Sequence, residues 1–183
     1  LAVNSNSMGL PEDGARRWLN IATTLECAYL LGLAERDLQL TVAYRNERRQ
    51  FGRPIASFEM IQRKFALFVV ECYAADAGWF VAADMVDRGG VDFSLETACC
   101  KVFGSEMVFR ASNEALQIAG GIGYSKEFPY ERAVRDARIN LIFVGTNEIL
   151  RALIALMGLQ NAGERVPAAA EPMRRHRSGR LVP

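Results

Sequence analysis

Histidine is almost absent from this chain of 183 residues, which contains only His176. A single histidine in a polar stretch cannot build a histidine-based catalytic pair or a zinc site with several imidazole ligands, so both kinds of site are excluded. Charge imbalance is also lacking, because 22 lysines and arginines stand against 21 acidic residues. Proteins that bind nucleic acid or anionic membranes usually carry a basic excess, so neither partner is expected.

Long apolar runs and paired cysteine motifs are missing as well. No apolar stretch reaches the ~20 residues of a membrane span, and residues 1–8 lack the basic and apolar order of a secretory signal. Four cysteines are present without a C-x-x-C motif: Cys27, Cys72, Cys99 and Cys100. We predict reduced thiols packed in helices, in a protein of the cytoplasm or the mitochondrial matrix that has no membrane span.

Hydrophobic residues make up 50% of the chain, which suffices for one domain with a core. We divide the chain into an irregular lead-in over residues 1–14, a helical region over residues 15–163 and a polar, basic tail over residues 164–183. The tail is predicted to be disordered. Glycine and proline breaks split the helical region into three long helices, a short one and a final one. The predicted fold is therefore all-α, an antiparallel helical bundle.

The second long helix, over residues 57–87, has the clearest apolar stripe, with steps of three and four residues that keep one face apolar. Ser57, Ser94 and Thr146 stand where the second, third and final helices begin, and each is a candidate N-cap. We expect the core to include the following side chains: Phe58, Ile61, Phe65, Phe68, Phe103, Leu116 and Leu153.

Two features suggest anion binding, and each also has a simpler explanation. A glycine run over residues 120–123 follows the third helix. It is typical of a C-cap and turn, because the negative end of a helix dipole does not attract phosphate. A basic cluster lies at the end of the first helix: Arg45, Arg48, Arg49 and Arg53. Cations favour helix C-termini, but arginine also suits phosphate through its forked donors, so both alternatives stay open.

Four motifs together resemble the C-terminal domain of acyl-CoA dehydrogenases. They are RRQFGRPI at residues 48–55, EALQIAGGIGY at 114–124, FPYER at 128–132 and GTNEILR at 145–151. The order and spacing match from about Gly9 to Gly163, and the endings look most like the very-long-chain branch, including its complex I assembly-factor relative. The family has two preceding domains, the second of them a β-domain, so the resemblance implies that residues 1–14 lead in from that β-domain.

The resemblance implies FAD contacts at six positions: Arg48, Phe51, Gln117, Gly121, Thr146 and Glu148. The first four would contact the FAD of a neighbouring subunit, and the last two would contact the FAD of the chain's own subunit. Contacts split in this way imply a dimer or tetramer that binds FAD and acyl-CoA. The isoalloxazine ring would need the β-domain, so this chain alone is expected to bind FAD weakly or not at all.

The resemblance also implies a base that removes the α-proton of a fatty acyl-CoA while flavin takes a hydride from the β-carbon. Most members carry a glutamate directly before Gly-Thr, where this chain has Val144. Members with the glutamate on the first long helix would place it at Ala22, followed by an arginine where this chain has Thr23. Glu26 lies one turn after Ala22 and is the nearest substitute, although a surface or paired glutamate is the simpler explanation.

Valine accepts no proton, but its backbone N–H can still hold the thioester carbonyl, as the base residue of the family does. Three alternatives follow for the function. The chain belongs to a heteromeric dehydrogenase whose glutamate-bearing partner subunit supplies the base, or it is a non-catalytic assembly scaffold that retains the fold. The third alternative is an enzyme fragment whose valine is an engineered or incidental loss.

Overall fold

The computed structural model describes residues 12–160 and 163, which form a bundle of helices with one short hairpin. The elements are α1 (Glu12–Glu47), β1 (Arg49–Gln50), β2 (Arg53–Pro54), α2 (Glu59–Arg88), α3 (Ser94–Ala119), α4 (Gly121–Tyr124), α5 (Tyr130–Ile139) and α6 (residues 147–160). A 3-10 turn, Ile55–Ser57, precedes α2. The prediction of an all-α bundle is confirmed.

The predicted boundaries differ from the structure at the N-terminal end. α1 begins at Glu12, so residues 12–14, which the sequence assigned to an irregular lead-in, are helical. The rest of that lead-in, the predicted disordered tail over residues 164–183 and His176 lie outside the described residues.

A two-residue hairpin joins α1 to α2 where the sequence predicted only a break. β1 pairs antiparallel with β2, and Gln50 lies opposite Arg53. The intervening residues, Phe51 and Gly52, have φ values of 51° and 78°. Two consecutive left-handed residues fit a tight hairpin turn of type I′. This turn projects the Phe51 ring outward, with 92% of the residue exposed.

α3 is the central helix and packs against α1, α2 and α5. The main core cluster contains Leu30, Ala34, Phe68, Cys72, Met107, Val108, Ala111 and Ala137. Small side chains let α1 and α3 approach closely. A Cβ added at Gly104 of α3 would lie 3.5 Å from Leu30 Cδ1 of α1. Of the interfaces between the elements α1 to α5, the α1–α3 interface is the most extensive.

The buried face of α3 is not the one that its aromatic residues suggested. It is lined by small and polar side chains: Thr97, Lys101, Ser105, Val108, Ser112, Ala115 and Ala119. Phe103 lies on another face and is 40% exposed, so the prediction of its burial is wrong. The physical reason is that close packing against α1 favours the small residues and turns the large ring away.

The other core predictions have mixed outcomes. Phe68 is buried as predicted, with 4% exposed. Four others are only partly buried: Phe58, Ile61, Phe65 and Leu116. Leu153 is 39% exposed, so its predicted burial is wrong. It lies on α6, and its side chain lines a cavity between that helix and the bundle.

Helix caps also differ from the sequence prediction. Thr146 is confirmed as a cap, since its Oγ1 accepts a hydrogen bond from Ile149 N at 3.4 Å. Ser94 is instead the first residue of α3, and its N–H donates to the Asp92 carboxylate at 3.0 Å. Ser57 does not cap α2, because its hydroxyl donates to Pro54 O at 2.7 Å.

All four cysteines are free thiols on helices. Cys27 and Cys72 are buried and Cys100 is half-buried, as expected, whereas Cys99 is exposed and the prediction of its packing is wrong. Burial raises the pKa of Cys27 to about 12 and the pKa of Cys72 to about 11, which favours the inert thiol form. Within residues 12–160, no group of three His, Cys, Asp or Glu residues can hold a metal ion.

Candidate functional site

The turn between α5 and α6 holds Val144 in a left-handed backbone conformation. Its φ is 55°, and Gly145, the next residue, has a φ of 97°. The N–H of Asn147 donates to Leu141 O at 3.1 Å and closes the turn. A β-branched residue with positive φ carries strain of roughly 1–3 kcal/mol, so the surrounding contacts must hold it there.

A fully buried lysine holds this turn from α3. Lys101 Nζ donates to Gly145 O and to Asn147 Oδ1, both at 2.9 Å. Ser105, one turn further along α3, donates to the same Asn147 oxygen at 3.2 Å. The turn is thus fixed to the centre of the bundle by side chains of α3.

Three successive backbone donors of the turn have no acceptor in the part of the chain that the structure describes. Among the described residues, the N–H groups of Val144, Gly145 and Thr146 have no hydrogen-bond acceptor. Val144 is 38% exposed. A fixed backbone N–H that needs no reorientation is well suited to bind a carbonyl oxygen.

Beside Val144, a cavity of about 420 Å³ separates α6 from α1 and α3. Its apolar lining is Leu19, Ala98, Val144, Leu150, Leu153, Leu156 and Met157. Thr23 and Thr97 also line the cavity. The Thr23 hydroxyl donates to Leu19 O at 2.9 Å, whereas Thr97 Oγ1 is buried without a partner among the described residues.

Glu26 is neither a surface glutamate nor a paired one. Both carboxylate oxygens are shielded from solvent and have no hydrogen-bond partner among the described residues. Burial raises the pKa of Glu26 to about 7, although the Lys101 cation lowers it in part. A carboxyl group with a pKa near neutrality is a suitable general base. Glu26 does not line the cavity beside Val144.

The six positions that the resemblance related to FAD fall into two groups. Arg48, Phe51, Gln117 and Gly121 are exposed. They lie at one end of the bundle, where the hydroxyl of Tyr44 on α1 donates to the last residue of α3 at 3.1 Å.

Thr146 and Glu148 lie beside the Val144 turn, at the same height along the bundle as Lys101. Lys101 precedes Gln117 by 16 residues on α3, which separates the two groups by roughly 24 Å along the helix axis. Glu148 is exposed, and hydrogen bonds from its own N–H and the Thr146 hydroxyl lower the pKa of its carboxyl group.

In the glycine run over residues 120–123, the structure explains two glycines and leaves the third without a steric reason. Gly120 ends α3 with a φ of 66°, which confirms the C-cap interpretation. A Cβ at Gly123 would lie 2.5 Å from Leu116 O, so packing within the chain requires glycine there. A Cβ at Gly121 would meet nothing within 4 Å. The described residues therefore give no steric reason for glycine at position 121.

The basic cluster is partly used within the chain. Arg45 stacks on the ring of Phe65 at 3.7 Å, and Arg53 stacks on Phe58 at 4.1 Å. Arg49 donates to a backbone carbonyl of the hairpin at 3.1 Å. Among the described residues, the Arg48 side chain has no such contact, so it is available to a ligand.

α2 presents a second apolar face to the outside. Its large exposed residues are Met60, Leu67, Val69, Val70, Tyr73, Phe80 and Val81. Of the described helices, α2 alone is long and apolar enough to cross a membrane, with a mean hydropathy of 1.5 over an 18-residue window that is 17% buried. Exposed apolar surface on this scale is typical of a face that a partner covers.

Sequence reasoning missed Lys101, Ser105 and Asn147. One signal was available, because Lys101 interrupts the otherwise apolar and small residues 98–104, where a charged side chain needs internal acceptors. Its acceptors lie more than 40 residues further along the chain, and no local pattern identifies them.

Comparisons with known proteins agree on one family. The family described as acyl-CoA dehydrogenase, C-terminal domain, matches residues 15–158. The human mitochondrial very long-chain specific acyl-CoA dehydrogenase is 39% identical over 137 residues, which are 75% of this chain and 21% of that protein. The chain thus spans about a fifth of this relative.

Two solved structures extend the comparison. The glutaryl-coenzyme A dehydrogenase in complex with glutaryl-CoA superposes with a TM-score of 0.78 at 36% identity, over 82% of this chain and 39% of that one. An acyl-CoA dehydrogenase complexed with FAD from Bacillus anthracis has a TM-score of 0.76 at 30% identity, over 88% and 31% of the two chains.

Proposed function

Because the chain belongs to the acyl-CoA dehydrogenase family, as a C-terminal domain, we propose that it serves a flavoprotein that binds fatty acyl-CoA. The observation that carries this proposal is the turn at Val144, which presents an unengaged N–H in a fixed, strained geometry. This donor would hold the thioester carbonyl and polarise it. The Val144 side chain offers no proton acceptor, so the chain's own site would bind substrate without deprotonating it.

The second position for a base also lacks a carboxylate, since it is occupied by Ala22. We therefore propose that this protein would need a glutamate from a partner subunit to catalyse the reaction of the family, the α,β-dehydrogenation of fatty acyl-CoA. A non-catalytic subunit or assembly scaffold that retains the fold is the alternative. Among the described residues, Glu26 is a substitute that an observation favours, because its carboxyl group has no hydrogen-bond partner there and burial raises its pKa to about 7.

Residues at both ends of the bundle support the proposal that the protein binds FAD. At one end, the guanidinium of Arg48, which has no contact among the described residues, would hold phosphate. Gly121 leaves room there for close backbone approach, and Phe51 and Gln117 would lie beside the adenine side. At the other end, Thr146 and Glu148 would contact a second FAD. Bound FAD would supply the hydride acceptor. The two groups of proposed FAD contacts lie far apart along the α3 axis. This separation supports the proposal that each flavin is shared between subunits.

Self-association follows from this arrangement. The exposed apolar residues of α2 would be covered in a dimer or tetramer of this chain, which would also bring together the two groups of proposed flavin contacts. We place such an assembly in the cytoplasm or the mitochondrial matrix, and the absence of a membrane span and of nucleic-acid binding stays a prediction.

Ligand binding tests the proposal, measured on the FAD-containing protein that includes the β-domain. An acyl-CoA should bind about tenfold more tightly than the matching thioether, which lacks the carbonyl oxygen and so loses one hydrogen bond. Perturbation of the flavin absorption spectrum measures both affinities, with unacylated CoA as the control. Equal affinities would remove the Val144 N–H from substrate binding, and failure of the protein to retain FAD when its β-domain is present would overturn the flavoprotein assignment.

A further inference from the structure

Lys101 is a buried cation whose hydrogen-bond partners, within the described part of the chain, are all uncharged. None of its surface is exposed, and no carboxylate of the described residues pairs with it. Burial lowers the pKa of its ammonium group, and the charge on Glu26 raises it in part. An ammonium group in such surroundings is destabilising unless its N–H groups find acceptors. An apolar side chain of the same length would serve if packing were the only role of position 101. The N–H donors of Lys101 therefore require an explanation.

Both acceptors of Lys101 belong to the strained turn. One is the carbonyl oxygen of Gly145, which directly follows Val144, and the other is the side-chain oxygen of Asn147. The two acceptors stand on either side of Thr146, so a single ammonium group fixes the turn at two points.

Asn147 continues the restraint through the backbone. Its N–H donates to Leu141 O at 3.1 Å, at the beginning of the turn, and its amide nitrogen donates to Ser105 Oγ at 2.9 Å. The turn is therefore tied to α3 and closed on itself by one residue that Lys101 contacts. Strain at a residue such as Val144 persists only where its surroundings over-determine the conformation, and these contacts do so.

We propose that Lys101 is a positioning residue that keeps Val144 left-handed and its N–H free. The identity of the group that this N–H binds, a thioester carbonyl, rests on the proposed function, whereas the restraint itself does not. A purely structural role would stabilise the bundle without any coupling to position 144. Positioning requires that the strain at Val144 disappear when Lys101 no longer holds the turn.

A double-mutant cycle separates the two roles in the chain itself. Asparagine tolerates the left-handed region better than valine, so Val144→Asn should raise the folding equilibrium constant of the otherwise unchanged chain about fivefold. In a Lys101→Met background, where the turn can relax, the same change should raise the constant less than twofold. Urea unfolding at pH 7 measures all four proteins.

Ser112→Ala provides the matched control, because Ser112 is also a buried polar residue of α3 and makes its hydrogen bond to α1. In that background the gain from Val144→Asn should stay about fivefold. The backbone chemical shifts of Val144 should also leave the left-handed range in Lys101→Met and keep it in Ser112→Ala.

An equal gain from Val144→Asn with and without Lys101 would overturn the proposal, as would unchanged Val144 shifts in Lys101→Met. If Lys101→Met does not fold, Lys101→Gln removes the ammonium group and retains a shorter polar side chain, and the gain should fall by at least half. A full gain in that background would equally overturn the proposal. Neither flavin nor acyl-CoA is present in these measurements, so failure of the proposed function would leave their outcome unaffected.

Discussion

Ser112 donates its hydroxyl hydrogen to the carboxylate of Asp37 inside the α1–α3 interface, where both side chains are almost fully buried. Burial raises the pKa of Asp37 to about 6, although the hydrogen bond from Ser112 lowers it in part. The folded chain therefore favours the protonated form of this carboxyl group more than the unfolded chain does. Stability should depend on pH through this pair.

Asp37→Asn should remove a defined part of that pH dependence. The pKa of Asp37 in the folded chain lies above its ordinary value of 3.8, so the stabilising contribution of this group is complete below about pH 4 and is lost as pH rises through about 6. Between these two pH limits, the free energy of unfolding of the variant should rise by on the order of 2 kcal/mol relative to that of the unchanged chain. Urea unfolding at pH 4, 5, 6 and 7 measures the difference. Parallel curves for the two proteins would contradict the burial of a titrating Asp37.

Glu26→Gln should act in a higher pH window. The pKa rises from 4.5 to about 7, so the contribution of Glu26 is complete below pH 4.5 and lost as pH rises through 7. The variant should match the unchanged chain at pH 4 and exceed its free energy of unfolding at pH 8 by on the order of 1 kcal/mol, after allowance for solvent screening.

Glu35→Gln is the matched control for Glu26→Gln, since Glu35 lies exposed on the same helix. Its free energy of unfolding measures the general effect of replacing an exposed glutamate with glutamine. A Glu26→Gln profile that runs parallel to this control would show that Glu26 is ionised normally in the folded chain, and it would remove the reason to consider Glu26 as a base.

The helices and their breaks were predictable because their signals are local. The three- and four-residue steps from Phe58 to Trp79 identify the inward face of α2, and Thr146 identifies the start of α6. The buried face of α3 was not predictable in this way, because close packing against α1 decides that small residues turn inward and Phe103 outward. Side-chain size alone does not reveal which helix will approach.

The candidate site was predictable in composition but not in geometry. The motif at residues 145–151 pointed to Val144 and Thr146, and the structure places both in one turn. The left-handed φ of Val144 and its restraint by Lys101 depend on contacts between α3 and a turn more than 40 residues away. Such contacts leave no periodic pattern in the sequence.

Phe68→Ala should destabilise the bundle more than Phe65→Ala. Phe68 is buried in the main core cluster, so its truncation should cost roughly 3–5 kcal/mol through lost burial and a residual cavity. Phe65 is only partly buried and packs on one side against the Arg45 guanidinium, so its truncation should cost about 2 kcal/mol. Thermal and urea unfolding of both variants measure the order, and a reversed order would contradict the described core.

Self-association should depend on the outer face of α2. Analytical ultracentrifugation of the unchanged chain should show a dimer or tetramer at micromolar concentration, because Val70 and Tyr73 are 64% and 76% exposed in the single chain. Val70→Glu should shift the distribution toward monomer by placing a charge in the interface. Asp84→Lys on the same helix, at an already charged position, is the control. A monodisperse monomer of the unchanged chain at high concentration would contradict this assembly.

The central claim is that Val144 leaves the site able to bind acyl-CoA but unable to remove its α-proton. General-base catalysis contributes typically 10²–10⁴-fold, and the α-proton must leave for oxidation to occur. Anaerobic bleaching of the flavin by acyl-CoA tests this claim directly, when it is measured on the FAD-containing protein that includes the β-domain and is made without a glutamate-bearing partner subunit. The unchanged protein should not bleach, and Val144→Glu should restore bleaching. Rapid bleaching by the unchanged protein would contradict the account, and its loss in Glu26→Gln would then assign the base to Glu26.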